Sequence, residues 1–213
     1  MKTMISNMHP NRQQCMQMLA DYQTPHHGIG HCKAVAAVGY TLAKALNERC
    51  GGRVISDRGS SAVANQTSDL DLKLDLDLIL AAGLLHDMAR VEDMHWEAAA
   101  RYCEVRGFQQ EADIIRVHMT YDPFHDLAHL NETDIICLAD RTVLEDRYAG
   151  IERRIDYIIA KAEQNGHPEH RPHILRKKAE TKVLIDEIET FLGCSMDSLM
   201  ENLDYECPEG KSL

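Results

Sequence analysis

The residues able to do chemistry are unevenly placed along this 213-residue chain. The apolar run Leu78-Ile-Leu-Ala-Ala-Gly-Leu-Leu85 ends directly in His86-Asp87, which sets an imidazole and a carboxylate side by side at the end of a segment built for burial. Such a pair calls for a cation: a His nitrogen beside an Asp oxygen suits Zn, Mn, Fe, Co or Ni, whereas a Ca or Mg site uses mostly oxygens. The dipeptide alone is a weak signal, because with 12 histidines in the chain roughly one His-Asp neighbour pair arises by chance. A second pair, His125-Asp126, serves as an internal control. It follows Pro123 in a polar stretch with no apolar helix leading into it, and it reads as a loop feature. The first pair also has candidate partners. His31 heads a stripe that continues with Val35, and Asp140 closes Ile135-Ile-Cys-Leu-Ala139. A lone His or Asp on an apolar face is more often a hydrogen-bonded core residue than a ligand, and several such residues together shift that balance.

The elements that must position these residues read as helices. Val35, Val38, Leu42 and Leu46 mark one stripe at helical spacing, and Ile151, Ile155, Ile158 and Ile159 mark another. Pro25, Gly28 and Gly30 precede the first stripe and Gly51-Gly52 follow it, which puts helix boundaries near His31 and Cys50. Residues 51–68, rich in Gly, Ser, Asp and Asn, read as a loop. The alternation from Asp69 to Leu78 has the period of a strand, but no second alternating run offers it a partner. A helix entering near Asp75 is the better reading, with its early carboxylates at the positive end of the helix dipole. Further helices are expected at about 94–106, 110–119, 131–148, 151–164 and 173–192, with Pro168 and Pro172 breaking the chain between the last two. The expectation is an all-α compact bundle over 1–213 as a single domain. Its core spans about 24–145, helices at about 151–192 pack on it, and 193–213 form a tail.

Composition narrows the function classes. Hydrophobic residues at 44% and charged residues at 27% are ordinary for a folded globular chain. The run from Leu78 to Leu85 is too short to span a bilayer, and Met1 to His9 carries no apolar core of a secretory signal, so a cytoplasmic protein without membrane contact is expected. A net charge of -11 argues against long nucleic acid as a partner, since phosphate-backbone affinity comes from Lys and Arg. An acidic chain still suits a small phosphorylated molecule when bound cations reverse the local field. Seven cysteines without a C-x-x-C pair disfavour a zinc ribbon and a disulfide framework. The methionines near the start read as helix packing. A homodimer is an allowed assembly.

The ordered pattern His31, His86-Asp87, Asp140 resembles the HD superfamily of metal-dependent phosphohydrolases. The similarity covers roughly residues 24 to 145. It includes Thr24-Pro25 and His27 ahead of His31-Cys-Lys-Ala-Val35, then Ala81-Ala-Gly-Leu-Leu-His86-Asp87-Met-Ala-Arg90, and finally Cys137-Leu-Ala-Asp140-Arg141. The resemblance implies an HD-domain helical bundle in which His31, His86, Asp87 and Asp140 ligate one cation. His95 and His118 fall between the motif and Asp140, an order similar to the binuclear H-HD-H-H-D branch. In that branch Asp87 would bridge two cations and His95 and His118 would hold the second. Helical spacing from Ile114 and Ile115 also puts His118 on an inward face.

The implied cofactor is one or two divalent ions, from among Mn, Fe, Co, Ni, Zn and Mg. The implied reaction is hydrolysis of a phosphate ester or anhydride in a small molecule, a nucleotide first among them, with no protein nucleophile. Asp87 and Arg90 would serve catalysis, and His27, Arg90 and Arg141 would contact substrate. Arg90 lies one helical turn beyond Asp87 and could clamp a phosphate, although many relatives carry Lys there. The absence of a G-Y-P triplet weakens a cyclic-dinucleotide assignment, and the chain is short for a deoxynucleoside triphosphate triphosphohydrolase. Two alternatives stay open: an HD-type di-iron oxygenase with the same ligand order, and a non-catalytic nucleotide-binding signalling domain. The segment His167-Pro-Glu-His170-Arg-Pro-His173 reads as an exposed loop with at most adventitious cation binding.

Overall fold

The computed structural model describes residues 9–51 and 72–206. Most of the expected 51–68 loop, residues 69–71 of the alternating run and residues 207–213 of the tail lie outside the described residues. The chain folds as an all-α bundle. Among the described residues it has nine α-helices: α1 (Arg12–Asp21), α2 (His26–Gly51), α3 (Leu76–Leu85), α4 (His95–Glu104), α5 (Gln109–Val117), α6 (Glu132–Asp140), α7 (Gly150–Gln164), α8 (Arg171–Leu192) and α9 (Met196–Leu199). The strands β1 (Val143–Leu144) and β2 (Arg147–Tyr148) pair antiparallel, Val143 opposite Tyr148 and Leu144 opposite Arg147. No helix of the described residues is long and apolar enough to cross a membrane.

The arrangement follows from α3, which is apolar on every side. A helix with no polar stripe must be covered all round, and every residue from Leu78 to Leu85 is buried. With α2 it forms a middle layer that feeds two apolar clusters. On one side Val35, Val38, Leu42 and Ile79 pack with Ile135 and Ile136 of α6, Ile155 of α7 and Ile188 of α8. On the other side Ala36, Leu80, Leu84 and Leu85 pack with Leu19 of α1, Ala99 and Cys103 of α4, and Ile115 of α5. Each fully buried Leu or Ile contributes roughly 1.5–3 kcal/mol, so the large side chains of α3 set its place in the bundle.

Helices α2 and α3 cross closely because Gly83 has no side chain. A Cβ there would lie 2.7 Å from the Ala36 Cα and 3.0 Å from its Cβ. The crossing lies five residues past His31 on α2 and three before His86, so it draws two distant parts of the chain into one site. Asp75 caps α3, its carboxylate accepting from the backbone N–H groups of Asp77 and Leu78. The helical reading of the alternating run therefore holds from Leu76 onward.

Two boundaries and one helix differ from the sequence expectation. Helix α2 begins at His26 rather than near His31. Pro25 accepts the Ile29 N–H, and Gly30 is a close-packing residue inside the helix, where a Cβ would meet the Asp146 Cβ at 3.2 Å. The helix expected over 131–148 stops at Asp140. The Thr142 hydroxyl donates back to the Ala139 carbonyl, the Thr142 carbonyl accepts from Ala149 and Gly150, and the chain reverses through a tight hairpin with Glu145 at φ 55. Helix α1 was not marked by any apolar stripe. Its start is a capping box, in which the Asn11 side chain accepts from the Gln14 N–H and the Gln14 side chain accepts from the Asn11 N–H.

Candidate metal centre

His86 caps the C-terminal end of α3 and is fully buried, and Asp87 follows at 6% exposure. Around the Asp87 carboxylate stand four imidazoles from four parts of the chain. The Oδ2 atom lies 3.6 Å from His31 Nε2 and 3.9 Å from His86 Nε2. The Oδ1 atom lies 3.1 Å from His95 Nε2 and 3.7 Å from His118 Nε2. The rings form an arc, with centroids 5.3 Å apart from His31 to His86, 5.2 Å from His86 to His118 and 5.8 Å from His118 to His95. Two groups result, His31–His86–Asp87 and Asp87–His95–His118, each with ligand atoms close enough to hold one metal ion. Asp87 belongs to both, one oxygen to each. Asp140 adjoins the first group through its Oδ1, 3.0 Å from His31 Nε2.

The hydrogen bonds of the imidazoles determine what the cage can bind. His31 Nδ1 bonds the Glu145 carbonyl at 3.0 Å, His86 Nδ1 the Gly83 carbonyl at 2.9 Å, and His118 Nδ1 the Ile115 carbonyl at 2.7 Å. A carbonyl only accepts, so in each ring Nδ1 carries the proton, and in the neutral ring Nε2 presents a lone pair. Those lone pairs converge on carboxylate oxygens, which also only accept. The Nε2 atoms of His86 and His118 are buried without any hydrogen-bond partner. Acceptors facing acceptors in a dry interior are costly unless a positive charge lies between them.

The charge states follow from burial set against the charges facing each group, and without a cation His118 is the ring drawn toward the protonated form. Burial alone would push the Asp87 carboxyl up, but His86, His118, His95 and Arg90 reverse this and hold it far below the usual carboxylate range. Asp140 is likewise driven down against burial, by His31, His86 and Arg154. Burial lowers the His86 pKa to about 4, which keeps that ring neutral. For His118 burial also acts downward, but Asp87, Asp140 and the Ile115 carbonyl outweigh it and raise the pKa.

Local structure explains why each ligand lies where it does. The chain leaves α3 through a run of turns, with the Met88 carbonyl accepting from the Thr24 hydroxyl at 2.8 Å. It enters α4 at Met94, which has left-handed dihedrals, φ 54 and ψ 42, an uncommon conformation for a non-glycine residue. His95 then opens the helix at 17% side-chain exposure, its ring edge-to-face with Trp96. His118 caps the end of α5, as His86 caps α3, and both fold their Nδ1 back on a carbonyl three residues earlier.

The six expected metal-site residues, His31, His86, Asp87, His95, His118 and Asp140, therefore come together. The expected substrate residues divide. Arg90 places Nη1 3.0 Å from Asp87 Oδ2 and keeps its side chain 34% exposed. His27 is exposed one turn before His31 and makes no hydrogen bond or ion pair with the cage residues. Arg141 turns away: it donates to the Thr181 hydroxyl and the Tyr121 carbonyl and stacks on Phe124. The expected substrate contact gives way to this packing role, because Arg141 caps the end of α6 just after Asp140 and points to a different side of the chain. His125 and Asp126 stay outside the cage. The segment His167–His170 forms an exposed turn in which His167, Glu169 and His170 approach one another.

Two contributors escaped the sequence reading. The Glu145 carbonyl, which fixes the His31 ring, sits in the hairpin where a helix was expected. Arg154 of α7 places Nη2 3.7 Å from Asp140 Oδ1 at 13% side-chain exposure. It borders the Ile151–Ile155 stripe, and nothing in the sequence separates it from its neighbour Arg153. Compared with protein-family models, with curated proteins and with solved structures, the chain matches none.

Proposed function

We propose that this chain is a metal-dependent phosphohydrolase of the HD type, in which His31, His86, Asp87 and Asp140, with His95 and His118, would hold one or two divalent cations, and that it acts on a phosphate ester or anhydride of a small molecule, with nucleotides the leading class. The observation that carries this reading is the convergence of imidazole lone pairs on the two oxygens of one buried carboxylate. His31 and His86, with Asp140 at hand, form one half, and His95 and His118 form the other. The mixed nitrogen and oxygen donors fit Mn, Fe, Co, Ni or Zn better than Ca or Mg. When bound, cations there supply Lewis acidity toward a phosphoryl oxygen and a nucleophile drawn from water near neutral pH.

The chain's own residues support the rest of the reaction. Asp87 stays ionised and holds the two halves in register. Arg90, fixed by Asp87 and partly open to solvent, retains free guanidinium N–H groups for a phosphoryl oxygen. Among the described residues no cysteine beside the cage is poised as a nucleophile. Cys32, which interacts with Asp87, and Cys137, whose Sγ meets the His118 carbonyl, are buried, and that burial pushes both pKa values well above the ordinary thiol range. Water is left as the attacking group, which suits hydrolysis.

Elemental analysis of untagged protein, joined to a phosphate-release assay on a nucleotide panel under Mn²⁺ and Co²⁺, tests the reading. One or two tightly held cations per chain, two if both halves of the cage are filled, and metal-dependent phosphate release are expected. Iron-dependent oxygen uptake without phosphate release would move the same cage to oxidative chemistry, and a metal-free protein would remove the basis of the proposal.

A further inference from the structure

Arg154 is poorly explained by packing alone. Its Nε is buried and has no hydrogen-bond partner. Its Nη2 lies 3.7 Å from Asp140 Oδ1, near enough for charge attraction and too far for a hydrogen bond. In a guanidinium, Nε–H and one Nη–H form a parallel two-donor edge, the edge that matches two oxygens of a tetrahedral anion. Leaving a buried Arg donor unpaired is costly, which makes an unmet edge beside a candidate active centre informative.

The position of this edge adds to the argument. Arg90 contacts Asp87 through Oδ2, the oxygen that faces His31 and His86, and Arg154 approaches Asp140, which contacts His31. Both guanidinium groups thus lie on the His31 half of the cage. The His95 and His118 half has neither, and the residues beside it in sequence, Met94 and Met119, are exposed and apolar. The cage is electrostatically lopsided.

We propose that Arg154, acting with Arg90, binds the terminal phosphoryl group of the substrate at the His31 half of the centre, so that the site selects a doubly charged phosphate end over a singly charged internal diester. This inference rests on the phosphohydrolase reading above. Two fixed guanidinium charges beside the cations match a dianion better than a monoanion, and the two-donor edge of Arg154 supplies directional contact that a lysine lacks. Arg154 reaches the substrate itself; its approach to Asp140 sets its direction.

The test is calorimetric titration of inorganic phosphate, and of dimethyl phosphate for comparison, into metal-loaded full-length protein, with metal content measured on the same samples. Wild type is expected to bind phosphate more tightly than dimethyl phosphate. Arg154→Gln is expected to weaken phosphate binding about 10–100-fold at unchanged metal content, the range for hydrogen bonds to charged groups. Arg154→Lys keeps the charge without the edge and should recover part of the loss; if the Gln variant fails to fold, the Lys variant decides alone by a smaller loss. Phosphate affinity unchanged in the variants, or equal affinity of wild type for both anions, overturns this inference while leaving the phosphohydrolase reading standing. Loss of metal from Arg154→Gln also overturns it, by showing that the arginine serves Asp140 rather than the anion. A wild-type protein that holds no cation overturns both.

Discussion

Two His-Asp pairs in this chain meet opposite fates. His86 and Asp87 are buried at the end of α3, and the His86 Nε2 has no partner. His125 is half exposed and is consumed by its surroundings: its Nδ1 lies 3.0 Å from Asp134 Oδ2, and its backbone N–H donates to Asp134 Oδ1. Asp126 caps a short turn and pairs with His129, both largely exposed. The side chains are the same, and what differs is whether the polar atoms are satisfied. Around His125, Asp134 accepts from the Tyr121 hydroxyl and the Asn131 N–H as well, so the network is closed by donors. Around His86 the unpartnered Nε2 faces carboxylate oxygens, with Arg90 the one cationic side chain on Asp87 Oδ2, and the arrangement could hold a metal ion. The exposed His167–Glu169–His170 turn makes the same point. It has the residue types and the proximity, but water solvates each group and no acceptor is stranded.

Substitutions can break or sharpen this contrast. The largest effect is expected from Asp87→Ala, which removes both oxygens that join the two halves; elemental analysis should find neither cation retained, and phosphate release should vanish. His118→Ala is next. It strips one half of the cage and leaves His31, His86, Asp87 and Asp140 intact, so metal content should fall by half, and full retention would show that His118 is a core residue. Gly83→Ala alters no ligand but puts a methyl group against the Ala36 backbone. A loss of ~1–3 kcal/mol in denaturant titration, typical of overpacking, should accompany weaker metal retention as α3 shifts from α2. The smallest effect is expected from His125→Ala, about 1 kcal/mol of stability from lost hydrogen bonds, with metal content unchanged. Metal loss in that variant would erase the distinction between the two pairs.

The same contrast marks how much was legible in the sequence. The apolar run before His86 announced a buried helix end, and no such run precedes His125, so the distinction was visible in the pattern of neighbours. His118 was legible from its spacing to Ile114 and Ile115. Helical periodicity located α2 through Leu46 and α7 through Ile159, because burial on one face repeats every three to four residues. The stop of α6 at Asp140 was not visible: a Thr hydroxyl bonding back to a carbonyl and a two-residue reversal leave no mark on apolar spacing. The methionines near the start read as helix packing, but the bounds of α1 were missed for the same reason, since its signal was a cap rather than a stripe.

The sequence by itself determined the helical class and the buried character of α3, because periodicity and composition are local properties of a chain; the set of candidate ligands came from the order of His and Asp residues that resembles the HD superfamily. Only the tertiary structure decided which oxygen of Asp87 faces which imidazole, that Arg141 turns to Thr181 and Phe124, and that Arg154 comes to the edge of the cage. Those outcomes depend on a helix crossing at Gly83 and a hairpin at Glu145. Contact between distant segments is fixed by how faces pack, and no window of neighbouring residues contains that information.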